Sequence, residues 1–194
     1  FNWLGQDLTG WRVLDAFAGS GALGFEAASR GAGEVVLLER DAMLARSLAV
    51  SKARLKADAL QVHATDALAW MASAAHGRFD LVLLDPPFDA GLHAQAADLG
   101  QKLLKSGGWL YVESGDALEP PAGFEAHRHV KAGAVHAHLW RRADNPTSCR
   151  PPRSLSSLPP GGARERLGTA RRRWHDLRHP PHSRLSGHLR PDDA

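Results

Sequence analysis

Short apolar runs rich in β-formers alternate with helical stretches over the first 142 residues, and that alternation restricts the chain to βαβ units around a mainly parallel sheet. It predicts strands at Arg12 to Phe17, Val35 to Glu39, Leu60 to His63, Asp80 to Leu84 and Trp109 to Glu113. Helices are expected near Ala22 to Arg30, Asp41 to Leu55, Ala67 to Ala75 and Leu92 to Leu104. Gly31, Gly77 and Gly107-Gly108 read as stops after the first, third and fourth of these. Pro120-Pro121 breaks the pattern. Beyond it, Phe124 to Val130 and Ala134 to Trp140 read as a closing hairpin turned at Lys131-Ala132-Gly133. The fold class is therefore α/β, with a Rossmann-like seven-stranded sheet, mainly parallel, that ends in an antiparallel hairpin. No internal repeat is visible.

Composition changes near Arg142. Residues 1–143 hold 14 Lys and Arg against 16 Asp and Glu, a net of −2, while residues 144–194 hold 10 against 5, a net of +5. The overall charge of +3 thus belongs to the tail. Eight of the twelve prolines and a single aromatic, Trp174, also fall there, leaving too little apolar surface to offset the entropy of ordering it. The division is a folded domain over 1–143 and a basic Pro/Arg-rich tail over 144–194, expected to be disordered. An RNA-binding arm, an uninvolved extension and a frameshifted translation all fit the tail, and its abrupt onset after a finished sheet favours the last. Arg171-Arg172-Arg173 would attract phosphate in any case.

Cys149 is the only cysteine, which excludes an internal disulfide and a cysteine-based zinc site. No apolar run reaches membrane-spanning length and no signal peptide is present, so a cytoplasmic location without membrane contact is expected. Phe1-Asn2-Trp3-Leu4 reads as the end of a helix whose start is absent, which predicts an N-terminally truncated product.

The first strand runs into Asp15-Ala16-Phe17-Ala18-Gly19-Ser20-Gly21-Ala22-Leu23-Gly24, with G-x-G-x-x-G at Gly19, Gly21 and Gly24. Glycines there let the backbone approach a ligand and pack helix on strand. Glu39 ends the second strand twenty residues after Gly19, where an acid would accept hydrogen bonds from both ribose hydroxyls of an adenosine. A turn that binds nothing is the weaker reading, because strand, glycines and acid occur in the right order together. A dinucleotide fits these residues equally well. Asp15 helps to separate the ligands: its carboxylate would repel a pyrophosphate but could pair with the ammonium group of S-adenosylmethionine. Asp66 is placed to accept from the adenine amine, and equally to cap the helix that follows it.

The fourth strand, Leu81-Val82-Leu83-Leu84, ends in Asp85-Pro86-Pro87-Phe88. Proline holds the residue before it extended and brings no N–H, so the turn is stiff and cannot continue as helix. It offers the Asp85 carboxylate, the Pro86 carbonyl and the Phe88 ring, two acceptors and a stacking face suited to the exocyclic amine of a nucleobase. A strand-end acid with Phe88 as a core plug ranks below this, because ligands bind at this edge of open α/β sheets.

Taken together, Val13 to Ala27, Ser29-Arg30-Gly31-Ala32 and Leu83-Leu84-Asp85-Pro86-Pro87-Phe88 resemble the RsmD-type methyltransferases, which modify a guanine N2 in 16S ribosomal RNA. The resemblance covers about residues 1 to 142. It implies a methyltransferase sheet, and cofactor binding by Asp15, Phe17, Gly19, Gly21, Glu39 and Asp66, with S-adenosylmethionine as methyl donor. It implies amine recognition by Asp85, Pro86 and Phe88, with Pro87 and Phe88 meeting the substrate. The implied partner is 16S rRNA, free or within an assembling small subunit, met by a monomer. Physically, hydrogen bonds from the amine to Asp85 and the Pro86 carbonyl would pyramidalise the nitrogen and aim its lone pair at the methyl group. Alignment of this kind supplies on the order of 7 to 11 kcal/mol. The base is expected to be turned out of its stack.

Three rivals remain open. An amino-methyltransferase acting on DNA adenine or protein glutamine more often carries Asn-Pro-Pro-Tyr. A nicotinamide-dependent oxidoreductase is disfavoured by Asp15 and the Pro-Pro turn. A non-catalytic RNA-binding module is the third. His127, His129, His136 and His138 alternate along the closing hairpin, so each pair should share a strand face. A solvated face is expected there rather than a metal site, since no carboxylate or cysteine arrives at ligand spacing.

Overall fold

The computed structural model describes residues 3–87 and 90–144. Its elements follow the chain as β1 (Arg12–Asp15), α1 (Ala22–Ser29), β2 (Glu34–Glu39), α2 (Ala42–Leu55), β3 (Leu60–Ala64) and α3 (Ala67–Ser73). They continue as β4 (Phe79–Leu84), α4 (Ala90–Leu103), β5 (Leu104–Ser114), β6 (Phe124–Ala132) and β7 (Val135–Arg142). The sheet order is β3-β2-β1-β4-β5-β7-β6. The first five strands are parallel, and β7 runs antiparallel between β5 and β6. This is the seven-stranded, mainly parallel sheet with a terminal hairpin that the sequence pattern predicts.

Alternation along the buried strands sends side chains to two cores. Leu14, Val36, Leu38, Val82, Leu84, Leu110, Val112 and Trp140 pack with Ala67, Met71, Ala96 and Leu103 of α3 and α4. Val13, Val35, Leu37, Leu81 and Leu83 pack with Phe25 and Leu48 of α1 and α2. Asp41 caps α2 by accepting from the N–H groups of Met43 (2.7 Å) and Leu44 (3.0 Å), and Asp66 caps α3 by accepting from Ala69 N–H (2.9 Å). No helix among the described residues is long and apolar enough to cross a membrane.

Several boundaries differ from expectation for local reasons. β1 stops at Asp15 because the chain turns at Ala16 and Phe17 into the glycine loop. The fourth helix ends at Leu103 and β5 begins at once. Gly107 and Gly108, read as a helix stop, lie instead inside an irregular start of β5, where the register against β4 jumps between Phe79 and Leu81. The hairpin turns at Gly133 and Ala134, with Lys131 and Ala132 still in strand. Trp3 and Leu4, read as a helix end, form a turn and bend before Gly5 at φ 86°. A bulge between Ala126 and Arg128 breaks the alternation of β6. His127 is thereby turned onto Trp109, ring centroids 4.8 Å apart, while His129 stacks on His138 at 4.5 Å, so the first histidine pair does not share a face. The expected disordered tail lies outside the described residues apart from Asp144.

Candidate active site

The sheet order reverses between β1 and β4, and the glycine loop and the Asp85 turn leave the sheet there, side by side. Crevices that bind ligands form at such switch points, outside the carboxyl ends of the strands. Acidic groups gather along this edge: Asp15 on β1, Glu39 on β2, Asp66 after β3, Asp85 after β4 and Glu113 on β5.

Asp15 lies under the glycine loop, 1% exposed, with Oδ2 accepting from Gly24 N–H at 3.0 Å. Its Oδ1 is buried without a hydrogen-bond partner. Burial pushes the carboxyl up from 3.8 to about 7; the Gly24 N–H pulls the other way, and the charges of Asp85 and Glu39 add to the rise. An unpartnered buried acceptor costs about 1 to 3 kcal/mol, which a ligand cation can relieve.

Glu39 has a structural task that its sequence position did not disclose. Oε2 accepts from Gly19 N–H at 2.8 Å and Oε1 from Asp41 N–H at 2.7 Å, so the carboxylate ties the loop to the end of β2. Each oxygen keeps a further lone pair, enough for ribose hydroxyls to donate as well. Thr65 N–H donates to the Glu39 carbonyl at 2.9 Å, bringing Asp66 alongside. Asp66 caps α3 through Oδ1, as one of its two readings required.

The three glycines divide by function. Gly21 has φ 79°, and a Cβ there would lie 2.5 Å from Leu48 and 2.8 Å from Phe25; at Gly24 it would run into Leu37. Both are needed for packing. At Gly19 a Cβ would meet nothing within 4 Å, so this is the loop position that faces open space. Phe17 is half-buried and packs against the α3/α4 core at the mouth of the loop.

Pro86 is buried while Asp85 and Pro87 are exposed, so the turn is anchored by its first proline and presents the carboxylate outward. Phe88 lies outside the described residues. Three further residues at this edge escaped the sequence reading. Tyr111 Oη donates to Glu113 Oε1 at 2.7 Å, and His93 Nε2 lies 3.0 Å from the Glu113 carbonyl. The sequence marked Glu113 only as the end of a predicted strand; its place beside Asp85 follows from the register of β5 against β4.

His129, His136 and His138 bring nitrogens within 4.8 Å of one another. His129 Nε2 and His136 Nδ1 are hydrogen-bonded to each other at 2.9 Å, so these two nitrogens are already paired within the hairpin. His138 Nε2 already accepts from Leu118 N–H at 3.2 Å. A broad groove of about 1160 Å³ at the opposite edge is lined by His76, Lys102, Lys105, Phe124 and Arg142. Two of its cations are committed: Lys105 to Asp80, and Arg142 to the carbonyls of Gln101 and Leu104.

A mainly parallel sheet with a glycine loop and a row of acids at its switch point defines a nucleotide-cofactor-binding α/β enzyme of the Rossmann-like class. Residues 1–141 match the family described as "Conserved hypothetical protein 95", the RsmD family of methyltransferases, and the chain belongs to it. Ribosomal RNA small subunit methyltransferase D of Escherichia coli K12 is 36% identical over 151 residues, covering 73% of this chain and 74% of that one. Its Haemophilus influenzae counterpart is 40% identical over 150 residues, covering 73% and 77%. The solved structure of Escherichia coli yhhF superposes with a TM-score of 0.69 at 35% identity, covering 75% of this chain and 82% of that one.

Proposed function

We propose that this enzyme transfers a methyl group from S-adenosylmethionine to the exocyclic N2 amine of a guanine in 16S ribosomal RNA, in the cytoplasm. The names of its relatives support the RNA and the reaction class, and the turn supports the amine. The observation that carries the cofactor is the acidic edge. Asp15, Glu39 and Asp66 have no Lys or Arg partner among the described residues, and Oδ1 of the buried Asp15 lacks a hydrogen bond of normal geometry. A ligand with an ammonium group, two ribose hydroxyls and an adenine amine suits those three acids, lying against Gly19, with Phe17 at the loop mouth.

When bound, S-adenosylmethionine supplies an electrophilic methyl group on a sulfonium. Asp85 and the Pro86 carbonyl accept from the amine, orient its lone pair and hold the nitrogen in line, and the proton released from nitrogen passes to Asp85 or to water. Contact with the base is assigned to Pro87 and Phe88. A monomer acting on the RNA of an assembling subunit is the form we infer.

The test is methylation of small-subunit RNA, naked and in assembled particles, with the modified base mapped. A single N2-methylguanine is expected; methyl transfer to adenine, or none with either RNA, would overturn the assignment. Calorimetry provides the second arm. S-adenosylhomocysteine should bind and NAD should not.

A further inference from the structure

We infer that Glu113 reads the Watson–Crick edge of the substrate base, accepting from the ring N1–H of the guanine whose amine is held at Asp85. The inference rests on the proposed guanine-N2 activity. It is carried by the register of β4 against β5.

Leu83 pairs with Tyr111 and Leu84 with Val112, so the next positions, Asp85 and Glu113, end neighbouring strands at the same edge. Parallel neighbours lie about 4.8 Å apart, within the span of one base. Tyr111 and Glu113 are two residues apart in β5 and so share a face. It is the face of Leu83, which packs with Tyr111 in the α1/α2 core. Asp15 pairs with Leu83, and its carboxyl feels the charge of Asp85. The two acids therefore flank one opening beside the proposed methyl donor.

Glu113 is braced more than a surface acid requires. The Tyr111 hydroxyl fixes one carboxylate oxygen, the ring of His93 on α4 fastens its backbone carbonyl, and its backbone pairs with Ala137 of β7. No Lys or Arg among the described residues neutralises it. A half-buried carboxylate fixed by a hydroxyl and left without a cation is an acceptor held ready for a donor. Guanine presents two adjacent donors, N1–H and the N2 amine. Adenine presents an acceptor at N1, which a fixed carboxylate repels, so Glu113 would select guanine while Asp85 and Pro86 hold the amine. Tyr111 is a positioning residue, acting through Glu113.

The test uses the full chain and a short transcript of the mapped segment. The target is either guanine or 2-aminopurine, which keeps the exocyclic amine but makes ring N1 an acceptor. Wild type is expected to prefer guanine by about 10- to 100-fold in kcat/KM. Glu113→Gln, whose amide can donate to N1 of the analogue, should erase most of that preference, and Tyr111→Phe should weaken it by a few-fold. S-adenosylhomocysteine affinity within about twofold of wild type in both variants reports that the fold is intact. A preference unchanged in Glu113→Gln overturns the inference while leaving the proposed activity standing. A wild type that methylates neither transcript overturns the activity itself.

Discussion

Both edges of the sheet carry acids, and they treat them oppositely. At the amino edge Glu34 sits between Arg12, at 2.7 Å, and Arg78, and accepts from Gln61, while Asp80 takes Lys105 at 2.8 Å and Arg12 N–H at 2.8 Å. At the carboxyl edge Asp15, Glu39, Asp66 and Glu113 meet backbone N–H groups or a hydroxyl, with no cation among the described residues. The first arrangement satisfies charge within the chain. The second leaves negative potential for something outside it, and a sulfonium cofactor with an ammonium group is cationic at two points. Under the proposed function, stability and ligand binding are divided between the ends of the same strands.

Asp85→Ala gives the largest effect the comparison allows. It should lower methyl transfer by about 10²- to 10⁴-fold, since under the proposed function it removes the carboxylate that aligns the amine. S-adenosylhomocysteine affinity should stay within a few-fold of wild type in calorimetry. A large loss of cofactor binding would show that Asp85 belongs with the cofactor acids and not with the amine.

Asp15→Asn separates the edges next, because neutralising an acid at the carboxyl edge should stabilise the ligand-free fold. The Asp15 carboxyl is raised from 3.8 to about 7 in the fold, so its contribution is fully present below 3.8 and is lost as pH rises through about 7. At pH 8 the buried charge costs at most about 4 kcal/mol. Urea unfolding should find Asp15→Asn more stable than wild type at pH 8 and equal to it near pH 3.5. Cofactor affinity should move the other way: in wild type it should rise with pH between about 6 and 8 with release of a proton, and the slope should vanish in the variant. A variant less stable than wild type at pH 8 would assign Asp15 to loop closure alone.

Glu34→Gln makes the same change at the amino edge with the opposite sign. Burial pushes Glu34 up, but its hydrogen bonds and charge pairing with Arg78 and Arg12 outweigh it and hold the group below 4.5. Its contribution is present above 4.5 and lost as pH falls through the folded value. The variant should lose about 1 to 2 kcal/mol at pH 7 and progressively less as pH falls below 4.5, and should keep its methyl-transfer parameters. An altered KM for cofactor would end the division of labour between the edges.

Much of this contrast was legible in the residues. The strands, the glycine loop and the acids at Asp15, Glu39 and Asp85 follow from local pattern, because a strand running into glycines or into Asp-Pro-Pro leaves few conformations. What could not be read was pairing across the sheet. That Glu39 ties down Gly19, that Glu113 ends beside Asp85 and that Arg12 and Arg78 converge on Glu34 depend on register between strands far apart in sequence. The bulge at His127 escaped for the same reason: simple alternation assumes an unbroken ladder, and one extra residue sends a side chain to the other face.

The β6–β7 hairpin lies between these extremes and yields the smallest effect. His138 is buried against His129, His136 and the loop carrying Asp116, Leu118 and Glu119. Burial first and the charge of His129 second hold it below its ordinary 6.5. For a base held low, the unfolded chain binds the proton more readily, so stability is full above 6.5 and falls as pH drops below it. Stability should fall between pH 7 and 5, and hydrogen exchange should confine the loss to the amides of β6 and β7. His129→Gln removes a like-charged neighbour and should flatten the dependence while leaving cofactor affinity untouched. If instead the glycine loop opened over the same pH range, the hairpin would be coupled to the carboxyl edge, and the sheet could no longer be described as two independent ends.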